Sequence, residues 1–528
     1  MNFKVLITTS GIGSRLGEFT KYTNKTLLRV GYKPVISHII EGYPKDIKFV
    51  ITIGYFGDQV RDFLEIAYPD RHFEFVVVDN FQGKGSSLLY SMTCAKDKLQ
   101  LPFIFHASDT IVLDSLPAPE VNWNAGFKGS GSSHYTSFDV LGDHIKVFYD
   151  KGNISPDFLH VGIVGVNNYK LFWDIADDVL KDNEYSSSLS DVDVLKRFIN
   201  QDKVYERELK TWYDIGNVEK IKEAKDHFSK NDFHVLDKVT ESIYHVENNI
   251  IKFFYDETIC QNRVKRTAFL KEALPEIISS RPNFYKYEYV PGALFSNIAN
   301  RSNFNIFLNW AEKNMWKPVK NIEVDHFRRI TNDFYFVKTL KRIDEMHASR
   351  GIEDKADIIN GVEIPSLKEL ISQIDFEALC NSEPTTFHGD FILDNIIYQG
   401  DEIFKLIDWR QDFGGEIEAG DQYYDLAKLA HNLVVNHEII DNNQFKIEID
   451  ENGGVKVNIH RLQSLVDCEN LFFNYIKVKG LDYNKVKLLR SIIWLNMSPL
   501  HHHPFDLFLY YFGKYSLFNQ LNDMKNGF

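Results

Sequence analysis

With 528 residues, 44% hydrophobic and 25% charged, the chain has the balance of a globular protein and, at roughly 100–200 residues per domain, the length for two or three domains. A net charge of −14 without a long Lys/Arg run argues against a nucleic-acid or anionic-membrane partner. The cysteines, Cys94, Cys260, Cys380 and Cys468, are widely spaced with no CxxC pair, which argues against a disulfide framework or zinc site and fits a reducing cytoplasm. No run of about 18 apolar residues occurs and the short apolar run in MNFKVLITT lacks a cleavage-site pattern, so no membrane insertion is expected.

In chain order, strands are expected at Phe3–Thr8, Lys48–Ile53, Phe73–Val78 and Phe103–His106, and helices at Pro34–Tyr43, Asp58–Tyr68 and Ser86–Ala95. In the second helix Val60, Phe63, Leu64 and Ala67 share one face, and Asp58 is the expected N-cap. This alternation predicts a parallel, doubly wound Rossmann-like α/β domain, with ligands at the carboxyl ends of its strands.

Three features fall at those ends. After the first strand, Ser10-Gly11-Ile12-Gly13-Ser14-Arg15-Leu16-Gly17 lets backbone N–H groups approach a phosphate, with Arg15 as a fixed cation; Asn24-Lys25 and Gly31-Tyr32-Lys33-Pro34 follow. Asp109 closes the strand at Phe103–His106, where a carboxylate can hold Mg²⁺. Trp212-Tyr213-Asp214-Ile215-Gly216-Asn217, ahead of a helix at Val218–Phe228, supplies a second carboxylate. Singly, each reads as an ordinary turn, loop lysine or helix-start aspartate.

In this order the three motifs, spanning about residues 3–228, resemble the nucleotidyltransferases that activate sugar phosphates and phosphocholine, with Asn24 where that family more often has Pro. The resemblance implies that Gly11, Gly13, Ser14, Arg15 and Lys25 bind the triphosphate, Arg15 and Lys25 stabilising the leaving charge. It further implies that Asp109 and Asp214 hold Mg²⁺, that Lys151 grips the acceptor phosphate, and that Gln82, Gly85 and Ser86 in Asn80–Leu88 read the base. Its Ser87-Leu88 ending resembles phosphocholine cytidylyltransferases and favours CTP, although Gly-Lys-Gly-Ser-Ser is also an ordinary loop and N-cap.

Ser229-Lys230-Asn231-Asp232 is the expected junction, giving domains at 1–230 and 231–528. Beyond it a hairpin is expected at Ser242–Glu247 and Ile250–Phe254 around Asn248-Asn249, with Lys252 able to reach nucleotide phosphates and Thr240-Glu241-Ser242 where a kinase has its Gly-rich loop. A helix at Asn262–Leu274 offers Glu272 as the partner of Lys252.

The densest chemistry lies further on. Phe387-His388-Gly389-Asp390-Phe391-Ile392-Leu393-Asp394-Asn395 places Asp390 and Asn395 five apart, the spacing of a base and an amide metal ligand in a kinase catalytic loop. A hairpin of Ile396–Tyr398 and Ile403–Ile407 then ends on Asp408. The ordered set His388, Asp390, Asn395 and Asp408 resembles the aminoglycoside phosphotransferase and choline kinase family. That implies a two-lobed, protein-kinase-like α+β domain in which Asp390 is the catalytic base, Asn395 and Asp408 hold Mg²⁺, and Glu288 and Val290 lie in a hinge that meets adenine.

Downstream, Asp421 is a candidate helix cap and Asp425 a candidate brace of the catalytic loop, and helices are expected at Leu462–Ile476 and Tyr483–Leu495. His501-His502-His503 reads as packing or substrate contact, because neighbouring histidines do not easily converge on one ion. The aromatic set Trp494, Phe505, Phe508, Tyr510, Tyr511 and Phe512 reads as core, or as a cage for a cationic amino alcohol.

The combined expectation is a bifunctional cytoplasmic enzyme. Its kinase phosphorylates a small sugar, polyol or amino alcohol with ATP, and its nucleotidyltransferase couples that phosphate to an NMP from a second NTP, CTP favoured, with Mg²⁺ at both sites, giving an activated precursor for surface polysaccharide. The alternatives are a sugar 1-kinase with a uridylyl- or guanylyltransferase, a choline or ethanolamine kinase with a cytidylyltransferase, and one active domain beside a nucleotide-binding regulatory module. A homo-oligomer is compatible with each.

Overall fold

The computed structural model describes residues 3–129, 134–152, 155–183, 186–228 and 238–526, so the expected junction at residues 229–232 lies outside the described part. The chain forms two compact units, residues 1–260 with 278–289 and residues 261–277 with 290–528.

In the first unit, four parallel strands lie side by side in the order His72–Val77, Lys48–Ile53, Lys4–Thr8 and Phe103–Ala107. Side chains alternate between two cores. Val5, Ile7, Phe49 and Ile51 meet helices Val35–Glu41 and Gly57–Ala67, whereas Leu6, Val50 and Phe105 meet helices Leu88–Thr93 and Tyr169–Asp182. Both faces of the inner strands are covered, which is why residues 5–7, 49–51 and 103–105 are unbroken apolar runs.

The expected parallel sheet is only part of the whole, which has nine strands and is mixed. Phe158–Val166 runs antiparallel to both Phe103–Ala107 and Trp123–Phe127. A parallel return needs a crossover, commonly a helix, and among the described residues no helix separates Phe103–Ala107 from Phe158–Val166.

The helix expected at Asp58–Tyr68 is Gly57–Ala67, with the four expected apolar residues buried. Asp58 does not cap it: the cap position is Phe56, in a left-handed conformation, and Asp58 sits in the first turn beside Arg61. Ser87 caps Leu88–Thr93 by accepting from the Tyr90 N–H.

The sheet containing Lys252 belongs to this first unit. Its strands lie in the order Glu241–Val246, Asn249–Phe254, Phe284–Glu288, Ile277–Arg281, and the first turn falls on Glu247-Asn248, one residue before the expected position. Tyr244, Ile251, Phe253 and Phe284 share the core of Val5 and Phe63, the Tyr244 hydroxyl donates to the Leu27 carbonyl at 2.6 Å, and the Lys286 ammonium donates to that of Ile66 at 2.7 Å.

In the second unit, helices Lys338–Arg350, Gln422–Asn432, Tyr483–Met497 and Phe505–Lys525 bury a common core. The expected hairpin forms from Ile396–Gly400 and Ile403–Leu406, with Ile396 opposite Leu406, and turns on Asp401 and Glu402, both at positive φ. The helix expected at Asn262–Leu274 is Glu257–Arg266 followed by a short 3-10 turn, so Glu272 falls in an exposed turn. Its backbone carbonyl, accepting from Lys405, makes its contact there; as a helix-borne partner of Lys252 it is set aside.

The aromatic set is core, and the cage reading is corrected. Trp494, Phe505, Phe508 and Tyr510 are at most 1% exposed, and rings of Phe505, Phe508, Phe512 and Trp494 pack on one another at 4.7–5.9 Å. Among the described residues no helix is long and apolar enough to cross a membrane.

Candidate functional site

Two separate acidic centres form, one in each unit. In the first, the loop after Lys4–Thr8 becomes a 3-10 segment, Ser14–Thr20, entered through Gly13 at φ 65. A Cβ there would lie 3.1 Å from Thr20 Cγ2 and 3.2 Å from Lys25 Cβ, so the glycine is needed both for its backbone and for the stem of Lys25. Asn24, the residue standing where the resembling family more often has proline, is fully buried. Its amide donates to the carbonyls of Thr9 (2.8 Å) and Tyr55 (2.6 Å) while its oxygen accepts from the Thr26 N–H, so hydrogen bonds fix the segment that carries Lys25.

Lys25 then reaches Asp109, Nζ to Oδ2 at 2.7 Å. Asp109 and Asp214 are brought together by a two-residue antiparallel ribbon in which Asp214 lies opposite Thr110 and the Ile215 N–H donates to the Asp109 carbonyl at 2.8 Å. His106 steadies the turn, its ring lying between the Tyr43 hydroxyl and the Thr110 carbonyl. Burial lowers the His106 pKa to about 4, so it stays neutral there.

The two carboxylates differ. Burial alone would raise Asp109, but Lys25 and then Arg15 outweigh it and hold its carboxyl below the ordinary value. Asp214 is pushed up by burial and by the charge of Asp109, although it accepts from the Tyr135 hydroxyl (2.8 Å) and the Gly216 N–H (2.7 Å). A pair of carboxylates, one raised by its neighbour, is a donor set that suits a divalent cation completed by phosphate oxygens.

Arg15 and Ser14 are exposed at the loop, and Gly11 is half-buried. Gln82 is exposed, while Gly85 and Ser86 lie in a loop closed by Ser86 Oγ donating to the Gly83 carbonyl at 2.6 Å and by Asn80 donating to that of Lys84. This loop and the Gly11 loop meet through Gly54, whose absent Cβ would sit 2.9 Å from both the Phe81 ring and the Ser10 carbonyl. Lys151 is exposed in the turn after the strand His144–Tyr149, next to Asp150, which pairs with Lys196. Lys252 is buried mid-strand opposite Ile243 and Tyr285. Glu288 ends its strand and accepts from the Asn248 amide at 2.9 Å. Val290, half-buried, follows as the chain enters the second unit.

In the second unit the loop at residues 387–395 is held from below. Gly389 has φ 88, and a Cβ would come within 2.6 Å of Arg410 Cβ. Asp425, fully buried, accepts from the N–H groups of both His388 and Gly389 at 2.7 Å and from Trp316 at 3.1 Å. The brace suggested for it is therefore formed, and burial raises its pKa to about 6.

His388 is a structural link rather than a proton carrier. It is fully buried, donates from Nε2 to the Ile407 carbonyl, accepts from the Asp390 N–H, and is kept neutral by burial with a pKa near 4. It thereby ties the loop to the strand end that leads to Asp408.

Asp390 is 39% exposed, with Lys428 Nζ 2.8 Å from Oδ1 and the Asn395 amide 3.0 Å from Oδ2. Burial drives its carboxyl up, but Lys428 outweighs this and keeps it ionised below the usual range. Asp408, at φ 59, accepts on Oδ1 from the Arg263 guanidinium at 2.5 Å, and its charge raises Asp390, so the two carboxylates act on each other. Asn395 directs its NH₂ at Asp390; its amide oxygen and the Asp408 carboxylate are the groups here that could hold Mg²⁺.

Several of these residues carry no motif. Arg266 is buried, stacks on the Phe387 ring at 3.9 Å, and donates to the carbonyls of Phe387, His388, Arg410 and Ile417, joining the loop to the segment after Asp408. Lys428 had one available signal: it lies three residues after Asp425, hence on the same helix face.

A cavity of about 210 Å³ opens among the helices of this unit, lined by Phe334, Tyr335, Lys338, Arg342, Arg410, Tyr424 and Lys428 together with aliphatic side chains and Asn496. Lys428 joins it to Asp390.

No family profile matches the chain. Its N-terminal half is similar to nucleotidyltransferases. It is 24% identical over 262 residues to the Bifunctional protein GlmU of Methanococcus vannielii, covering 46% of this chain and 58% of that protein. The chain thus spans less than two thirds of the length of the curated relatives it matches. Among solved structures, CTP:phosphocholine cytidylyltransferase from Streptococcus pneumoniae has a TM-score of 0.37 at 20% identity, covering 43% of this chain and 99% of that one. A UDP-glucose pyrophosphorylase complexed with UDP-glucose has 0.37 at 18%, with 44% and 99% covered.

Proposed function

We propose that the chain is a bifunctional enzyme in which a kinase centre at Asp390 phosphorylates a hydroxyl of a small molecule with ATP, and a nucleotidyltransferase centre at Asp109 and Asp214 joins that phosphate to an NMP. The observation that carries this reading is that each unit independently sets a carboxylate against a lysine beside a second carboxylate: Asp109 with Lys25 and Asp214, and Asp390 with Lys428 and Asp408. Functional domains at 1–230 and 231–528 remain part of the proposal, although the sheet carrying Lys252 packs with the first unit.

At the first centre the acceptor phosphate attacks the α-phosphorus of the NTP and pyrophosphate leaves. Arg15 and Lys25 neutralise the charge that moves onto the leaving group, while Gly11, Gly13 and Ser14 offer backbone donors to the triphosphate. Lys151 holds the acceptor phosphate; Gln82, Gly85 and Ser86 contact the base, with CTP the favoured nucleotide. Mg²⁺ held by Asp109 and Asp214 would screen the phosphate charges during this transfer.

At the second centre Asp390, kept ionised by Lys428, orients the acceptor hydroxyl and takes its proton as the γ-phosphoryl is transferred. Asn395 holds the Asp390 side chain in place through its NH₂ group. Mg²⁺ held by Asn395 and Asp408 would neutralise the β- and γ-phosphates, and Val290 contacts ATP. The coupled product is an activated precursor of the kind used for surface polysaccharide.

The test is to incubate the full-length chain with ATP plus each of CTP, UTP, GTP and dTTP against a panel of hydroxyl compounds, following ADP and pyrophosphate separately. The proposal expects both products and a diphosphate-linked conjugate with one NTP. If one centre turns over no nucleotide with any acceptor, that domain is a nucleotide-binding regulatory module instead.

A further inference from the structure

We propose that the acceptor phosphorylated at Asp390 is an anion, a small hydroxyl compound that also carries a carboxylate or a phosphate; this rests on the phosphotransfer reading above. The cavity beside Asp390 is lined by four cations, Lys338, Arg342, Arg410 and Lys428, and by no Asp or Glu. Two are already matched: Lys428 by Asp390 at 2.8 Å and Arg342 by Glu345 at 2.8 Å. Lys338 and Arg410 form no ion pair among the described residues, and both lie against the same ring, Phe334, at 4.1 and 5.0 Å. Cations gathered in a partly desolvated space repel each other, and an arrangement of this kind becomes favourable when an anion enters it. In keeping with this, burial and then Arg410, Arg342 and Lys428 push the Lys338 ammonium down to about 7.

The same field disfavours an amino alcohol such as choline or ethanolamine, whose cation would meet the two unmatched cations, Lys338 and Arg410. The aromatic residues that could have offered such a cation a cage are packed into the core instead. Size fits a small acceptor: about 210 Å³ lies below the ~300–1,000 Å³ of sites for drug-sized ligands. The balanced step moves the γ-phosphoryl of ATP to the acceptor hydroxyl oxygen, releases ADP, and sends the hydroxyl proton to Asp390. The product then carries two anionic groups, one of them the phosphate monoester required by the first centre.

The test uses the full-length chain with ATP and Mg²⁺ and matched acceptors: glycerol, ethanolamine, D-glycerate and glycerol 3-phosphate, then glucose, glucosamine, gluconate and glucose 6-phosphate. The anionic members are expected to support ADP release at a kcat/KM at least tenfold above their neutral and cationic counterparts; the carboxylate and phosphate arms show which anion is taken. Lys338→Gln should raise the acceptor KM at least tenfold with the ATP KM within twofold, and Lys338→Arg should restore it. A neutral or cationic acceptor used as well as its anionic counterpart would overturn the inference and leave the kinase standing. A Lys338→Gln effect on the ATP KM instead would also overturn it, assigning the cations to nucleotide phosphates. No ADP release with any acceptor would remove the phosphotransferase reading and this inference together.

Discussion

The two units set up the same local chemistry by different means. Asp109 and Lys25 are presented by turns and joined by an ion pair, with a two-residue ribbon bringing Asp214 to Asp109 and Asn24 and His106 steadying the turns. Asp390 and Lys428 rest on a buried polar scaffold, with Asp425 beneath two backbone N–H groups and Arg266 across four carbonyls. A turn-built site loses geometry piecemeal, whereas a buried network fails as a whole once one member leaves its partners unsatisfied.

The largest effect should come from removing the carboxylate itself. Asp390→Asn keeps the shape and the Asn395 contact but loses the charge held by Lys428. ADP formation in a steady-state assay should fall by about 10²–10⁴-fold, the range for a positioned general base. A loss below tenfold would place the essential group elsewhere.

Next is the scaffold. Asp425→Ala strands the buried N–H groups of His388 and Gly389, each at a cost of about 1–3 kcal/mol, so hydrogen exchange in residues 387–395 should accelerate far more than exchange in the first unit. Its counterpart is Asn24→Ala, which removes a cap and two side-chain donors; loss of the cap alone costs about 0.5–2 kcal/mol. Here nucleotidyl transfer should weaken while exchange changes only near residues 24–28. If the two variants disturb their units equally, the contrast between turn-built and network-built sites does not hold.

The smallest effect is a pH dependence that only the second centre should show. The Lys338 pKa is lowered to about 7, so its charge is present below that pH and lost as pH rises through it. The acceptor kcat/KM should therefore fall as pH rises from 6 to 8, and Lys338→Arg should flatten the profile over that interval.

Much of this was legible because the motifs are local. Val60, Phe63, Leu64 and Ala67 announced a helix face by their spacing, and the strand ends placed Asp109 and Asp408 correctly in the chain. What was not legible depends on distant partners. Arg266 gains its role only when residues 387–417 fold around it, and no spacing encodes that. Phe56, rather than Asp58, occupies the helix cap because the Gly54–Gly57 turn sets the backbone, a turn geometry that overrides side-chain capping preference. The mixed sheet escaped notice because the strands at 123–166 belong to a region whose apolar pattern does not alternate with helices. Glu272 was misplaced because the helix stops at Arg266, whose side chain is recruited to the Phe387 carbonyl.

The most direct measurement is a reciprocal comparison in the full-length chain, supplied with ATP, the favoured NTP and the acceptor. Asp109→Asn should release ADP at the wild-type rate without pyrophosphate. Asp390→Asn should release neither from the unphosphorylated acceptor, yet regain pyrophosphate release when the phosphorylated acceptor is added. Loss of ADP release in Asp109→Asn, or pyrophosphate release by Asp390→Asn from the unphosphorylated acceptor, would contradict two centres working in series.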